Sequence, residues 1–215
     1  MIPETLTAAY DYASQHWEQL LQACQEHLAL SGIPLGIGLL VGLPCGWWSS
    51  RSPWVAVVVV NILNTLRVIP SLAVLFLAIP YLGLTWQAAV VALTLLVLPP
   101  IVISTDVAFR EIDPAIREAA YGMGMSPRQV LTQVEIPLAL PVILAGIKTA
   151  TVEVVASATL AAFIGAGGLG TFITLGFALY DISILLVGAI PVALLALGAE
   201  LLLSGCQRWL QPPLP

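Results

Sequence analysis

Five apolar runs, at residues 28–48, 54–80, 87–108, 141–164 and 182–203, restrict this chain more than any other feature of its sequence. A helix needs ~20 apolar residues to cross the ~30 Å of hydrocarbon in a bilayer, and each run meets that length. Charge content agrees. Only 9% of the 215 residues are Asp, Glu, Lys or Arg, where a soluble domain carries about 25%. With 59% hydrophobic residues and a mean hydropathy of +0.99, the expected fold is all-α and polytopic, with about five transmembrane helices. The expected organisation is an extracytoplasmic N-terminal segment at 1–27, a transmembrane domain at 28–203 containing a polar loop at 109–140, and a tail at 204–215. The N-terminal segment has no Lys, Arg or apolar core run, so no cleavable signal peptide is expected. Tyr10, Trp17, Leu20 and Leu21 give it one apolar helical face.

Small residues in the first run include Gly32-x3-Gly36 and Gly38-x3-Gly42, spacings that permit close helix contact. Pro34 and Pro44 predict bends there, Pro70 predicts a kink in the second run, and Pro99-Pro100 distorts the third. Residues 165–170, GAGGLG, read as a tight turn after the fourth run, and 171–181 as a connector with room for a short re-entrant helix. Two ionisable residues stand well inside runs: Arg67 and Glu153. At ~1.5 Å per residue both lie roughly 18–20 Å from the same face. Ionisable groups at that depth are expected to pair or to serve function, so the two form a candidate intramembrane pair. The competing reading has Lys148 snorkel to the surface and Glu153 line a wet cavity.

Five spans put the termini on opposite faces. Arg51, Arg110, Arg117, Arg128, Lys148 and Arg208 then share one side, while 1–27, 81–86 and 165–181 contain no Lys or Arg. The positive-inside rule places the large loop and C-terminus in the cytoplasm and the N-terminus outside.

The core of the polar loop is EAAYGMGMSPRQVLTQVEIP at 118–137. Asp113-Pro114 reads as a helix start, Gly122 and Gly124 as its end, Ser126-Pro127 as a second start and Pro137 as the next boundary. A compact helix-turn-helix on a membrane surface results, shaped to press into a groove of a soluble partner. Its spacing is Glu118-Ala119-Ala120, three residues, Gly124, nine residues, then Val134-x-Ile136-Pro137. This resembles the EAA loop of ABC importer permeases, with Val134 in place of Ile and Ile136 in place of Leu. The resemblance implies a type I importer permease fold in which Glu118, Ala119, Ala120, Gly124 and Pro137 couple the membrane domain to an ATP-binding subunit.

The likeness extends through Glu26-His27-Leu28, the run IPSLA at 69–73, Asp113-Pro114, GMGM at 122–125, IPLALPVILAG at 136–146 and ATLAAFIGAGGLG at 158–170. Together these resemble the permeases of osmoprotectant importers, which carry quaternary amines such as glycine betaine, choline and carnitine. A methionine or other amino-acid permease is the alternative: it shares the loop and the glycine turn but is not expected to have IPLALPVILAGIKTA. Arg67 departs from the pattern, standing where a polar uncharged residue is expected. The resemblance implies a bacterial inner-membrane location, a second permease copy (identical or a close paralogue), two ATP-binding subunits and a separate extracytoplasmic binding protein. ATP and Mg would sit on the ATP-binding partner, with no cofactor in this chain.

Other chemistry is weakly represented. No GxxxxGK[ST] phosphate loop occurs, and Gly165-x-Gly167-x-x-Gly170 follows a membrane helix rather than a strand. His16 and His27 lie outside or at the edge of the first run, in no metal-binding or catalytic spacing. Cys24, Cys45 and Cys206 form no paired pattern. Seven dispersed basic residues give no nucleic-acid surface. An intramembrane enzyme would need a nucleophile or acidic pair in one cavity, and a non-transport scaffold would not need the loop spacing.

Overall fold

The computed structural model describes residues 2–210, which are helical almost throughout. The last five residues of the tail assigned from sequence, 211–215, lie outside the described residues. Helix α1 is Ile2–Gln15 and α2 is Trp17–Ser50. Helix α3 (Pro53–Val68) and α4 (Ser71–Leu82) come next, then α5 (Trp86–Arg110) and the short α6 (Pro114–Gly122). Helix α7 (Pro127–Gln129) runs through a π-helical turn, Val130–Glu135, into α8 (Ile136–Ala158). A 3₁₀ turn at Thr159–Ile164 leads to α9 (Gly170–Leu179) and α10 (Ile182–Leu210). Four of these helical stretches are long and apolar enough to cross a membrane, and the α3–α4 pair makes a fifth if counted as one span.

That pair is not merely kinked. Its halves meet at 99° across Ile69–Pro70. At ~1.5 Å per residue, α3 reaches ~24 Å and α4 ~18 Å, so neither alone covers the hydrocarbon. Pro70 has no amide proton to continue the ladder, and it pushes Ile69 into an extended conformation (φ −73°, ψ 124°), which ends α3. The N-terminal boundary also differs from expectation: α2 passes residue 27 without a break, and α10 continues past 203.

Helix α5 is the core. It packs against α2, α3, α4 and α8, and most of its length is buried. Small residues let the neighbours approach. A Cβ on Gly38 would lie 2.6 Å from Val97, one on Gly42 2.8 Å from Ile101, and one on Gly46 2.7 Å from the carbonyl of Val102. Across the other face, a Cβ on Gly146 of α8 would lie 2.3 Å from Ser104. The contact stripe on α2 is therefore Gly38, Gly42 and Gly46. Gly32 and Gly36, the other pair with contact spacing, face open space within this chain.

The opposite end of the bundle is stitched by the glycine turn. Gly165, Gly167 and Gly168 all have positive φ (73°, 85° and 81°), a region that side chains disfavour. The Gly168 amide donates to Glu26 Oε2 at 2.9 Å. His27 is fully buried beside it, with Nε2 3.1 Å from the carbonyl of Val155. So His27 is an interior contact of α2 with α8 rather than an edge residue. Beyond the turn lies α9, a ten-residue helix too short to cross the bilayer. Asp181 caps α10 by accepting from the amide of Ser183 at 2.8 Å. The Ser183 hydroxyl and amide hold this carboxylate below the usual aspartate range.

Candidate functional site: a coupling segment and an intramembrane cavity

Local chemistry builds the candidate coupling segment. Asp113 Oδ1 accepts from the amide of Ala115 at 2.8 Å, capping α6, and Pro114 fills the first helical position. The helix stops at Gly122, and Gly124 turns the chain at φ +82°. Ser126 and Gln129 then form a reciprocal capping box that starts α7.

Beyond α7 the chain departs from the expected boundary. Pro137 does not bound a separate second helix. Helix α7 continues through the π turn into the membrane helix α8, with Pro137 near the start of the α-helical part. A proline inside an α-helix loses one hydrogen bond and drives its ring against the carbonyl four residues back. In the π turn the pattern widens, and the amide of Ile136 donates to the carbonyl of Leu131, five residues back. This widening lets the helix absorb Pro137 without ending.

The predicted coupling residues divide by exposure. Glu118, Ala119, Gly124 and Pro137 are exposed, whereas Ala120 is buried at 2% and anchors the segment. Exposed Ile116, Tyr121 and Met123 surround them. The segment thus presents a mixed apolar and acidic surface held on a fixed frame.

That frame rests on a charge cluster not identified from the sequence. Glu135, in the π turn, is 3% exposed. Arg51, at the end of α2, donates to both of its oxygens, with Nη1 3.2 Å from Oε1. Arg117 of α6 donates through Nε to Oε1 at 2.7 Å, and also to the carbonyls of Phe109 and Ile112. Arg51 lies over the ring of Trp47, 5.3 Å from its centroid. Close by, Arg110 pairs with buried Asp106 at 2.7 Å and reaches the carbonyl of Ser49 at 3.4 Å. From sequence these arginines marked membrane orientation only. The signal available was scarcity: a chain with so few charges buries an acid only where basic residues meet it.

Arg67 and Glu153 reach one cavity, of about 180 Å³, at the α3–α4 break. Ser71, Ser157, Leu96 and Pro99 also line it. Among the described residues no ion pair within 4.0 Å joins them. Lys148 does not snorkel freely; it pairs with Glu200 of α10 at 3.0 Å and lies 3.4 Å from the Ser204 hydroxyl.

These features define a polytopic α-helical membrane protein with one preorganised polar segment. A family model described as a binding-protein-dependent transport system inner membrane component matches residues 37–214, and the chain belongs to that family. The carnitine transport permease protein OpuCB of Listeria monocytogenes is 40% identical over 207 residues, covering 96% of this chain and 95% of that protein. The choline transport system permease protein OpuBB of Bacillus subtilis (strain 168) is 39% identical over 194 residues, 90% of this chain and 89% of that one. The osmoprotectant import permease protein OsmW of Salmonella typhimurium is 40% identical over 192 residues, covering 87% and 89%. Among solved structures, the inward-facing MetNI methionine ABC transporter superposes with a TM-score of 0.81 at 24% identity, over 92% of this chain and 99% of the other. At that identity the likeness establishes the fold alone.

Proposed function

We propose that this chain is the membrane-spanning subunit of an ATP-driven importer of quaternary-amine osmoprotectants. The observation that carries the reading is its near full-length similarity to permeases named for carnitine, choline and glycine betaine. Two permease copies, identical or paralogous, assemble with two ATP-binding subunits and an extracytoplasmic binding protein. The N-terminus lies outside and the segment at 109–140 in the cytoplasm. Residues Glu118, Ala119 and Gly124, exposed on their fixed frame, seat in a groove of the ATP-binding subunit, and Pro137 and buried Ala120 set the angle of that frame. ATP and Mg are held by the partner. Closure of the ATP-binding pair draws the two coupling segments together, and because α7 and α8 form one continuous helix, the movement passes into the membrane as a rigid lever. The cavity between permease copies opens outward, accepts substrate from the binding protein and resets on hydrolysis.

A thermal-shift screen of the cognate binding protein, with uptake by the assembled complex in proteoliposomes, tests the reading. Glycine betaine, carnitine or choline should stabilise the binding protein and be taken up. A response to methionine alone would overturn the substrate class, and failure of an ATP-binding subunit to copurify would overturn the assembly.

A further inference from the structure

The cavity at the α3–α4 break combines features that a purely structural ion pair does not need. Arg67 and Glu153 both line it, yet neither side chain makes a hydrogen bond or close ion pair among the described residues. Ser157 is 8% exposed, lines the same space and likewise has no hydrogen-bond partner among the described residues. Arg67 is exposed and Glu153 half-buried, so the cost of an unpaired buried polar group falls on Ser157, and such a group persists where something else satisfies it. The start of α4 adds a further unmet demand. Its N-cap is Pro70, which supplies no side-chain acceptor, and Ile69, Pro70 and Ser71 border the cavity. A helix N-terminus favours an anionic group, and broken membrane helices present such ends to the anionic part of a substrate.

Opposite charges therefore line one small space. Arg67 and the α4 terminus contribute positive charge to it, and Glu153 contributes negative charge. Lys148 does not neutralise Glu153, because it is engaged with Glu200. At about 180 Å³ the cavity lies below the ~300–1,000 Å³ of drug-sized pockets, and suits a small solute. Asn61, Asn64 and Arg67, spaced three residues apart and all exposed, make a polar track along α3 that ends there.

We propose that this cavity is a transient subsite for a small zwitterion in transit, its carboxylate held by Arg67 and the α4 N-terminus and its quaternary ammonium by Glu153. The inference rests on the osmoprotectant reading and adds a discrimination to it. Glycine betaine and carnitine carry both charges, whereas choline carries only the cation. Arg67 thus favours zwitterions over choline, and Glu153 serves all three. Ser157 supplies a hydroxyl for whichever end of the ligand passes it.

Uptake of the three radiolabelled solutes by the complete importer in proteoliposomes, with its binding protein, tests this. Membrane abundance and basal ATP hydrolysis serve as controls. Arg67→Gln should lower glycine betaine and carnitine uptake by roughly ten-fold or more, the scale of one lost charge-assisted hydrogen bond, and choline uptake far less. Arg67→Lys should recover part of the zwitterion uptake. Glu153→Gln should lower all three. An equal loss of all three in Arg67→Gln, or no loss, overturns the subsite while leaving the importer reading intact. So does a wild-type importer that moves choline but neither zwitterion. A wild-type importer that moves none of the three overturns the osmoprotectant reading itself. If Arg67→Gln fails to accumulate, Glu153→Gln decides the matter, because a loss confined to zwitterions or no loss contradicts the assignment.

Discussion

Replacing Glu135 with alanine removes the acid that, among the described residues, ties α6 to the end of α2. Deleting one partner of a buried ion pair typically costs about 3–5 kcal/mol, because the remaining charge is left uncompensated. Here the figure must be reduced. Glu135 is 3% exposed, but the side chains of Arg51 and Arg117 are 39% and 24% exposed, so water reaches both guanidiniums once the acid is gone. Arg117 also keeps its bonds to the carbonyls of Phe109 and Ile112. A loss of about 2 kcal/mol results, or roughly 30-fold in the equilibrium between seated and detached α6. Amide hydrogen exchange across 113–129 reads that equilibrium directly. In Glu135→Ala these amides should exchange roughly 30-fold faster while those of α5 are unchanged, and substrate-stimulated ATP hydrolysis by the assembled complex should fall. Glu135→Gln keeps one acceptor and should lie between the two. Unchanged exchange in Glu135→Ala would refute the claim that this cluster holds the segment at 113–129 in place.

Glu118→Lys and Gly124→Asp should leave the protein inserted but uncouple it; membrane abundance with substrate-stimulated ATP hydrolysis checks this, and normal stimulation in both variants contradicts the coupling role. In a cysteine-free background, an impermeant thiol reagent should label a cysteine at position 14 from outside and one at position 126 only after the membrane is opened, and the opposite pattern at either site contradicts the orientation. Gly46→Ala should destabilise the detergent-solubilised protein by about 1–3 kcal/mol, because its Cβ meets the Val102 carbonyl at 2.7 Å, while Gly32→Ala in open space should stay within about 0.5 kcal/mol. Thermal denaturation of the two variants side by side reads the difference, and equal effects would mean that α2 does not pack on α5 through its Gly38–Gly42–Gly46 face.

Much of this protein was legible in its sequence because the governing physics is local. Apolar runs of ~20 residues are long enough to cross a bilayer, so the candidate spans follow from composition along the chain. Capping is equally short-ranged: Asp113 and Ser126 bond to amides two and three residues away, and both helix starts were recoverable from residue types alone. The tertiary structure decided what depends on distant residues meeting. Glu135 is paired with Arg51, 84 positions earlier, and nothing in the neighbourhood of either residue announces it. Gly32 and Gly36 have the same spacing as Gly38 and Gly42, and only the placement of α5 determines which pair is used. Pro137 read as a stop because proline cannot continue a regular α-helix, but the π turn before it removed the clash that the rule assumes. Pro70, by contrast, became a 99° break, with Ile69 before it in an extended conformation. That break, together with the packing of α3 and α8 around α5, carried Arg67 and Glu153 into one cavity, a meeting that depth along each helix suggested but only three-dimensional packing produced.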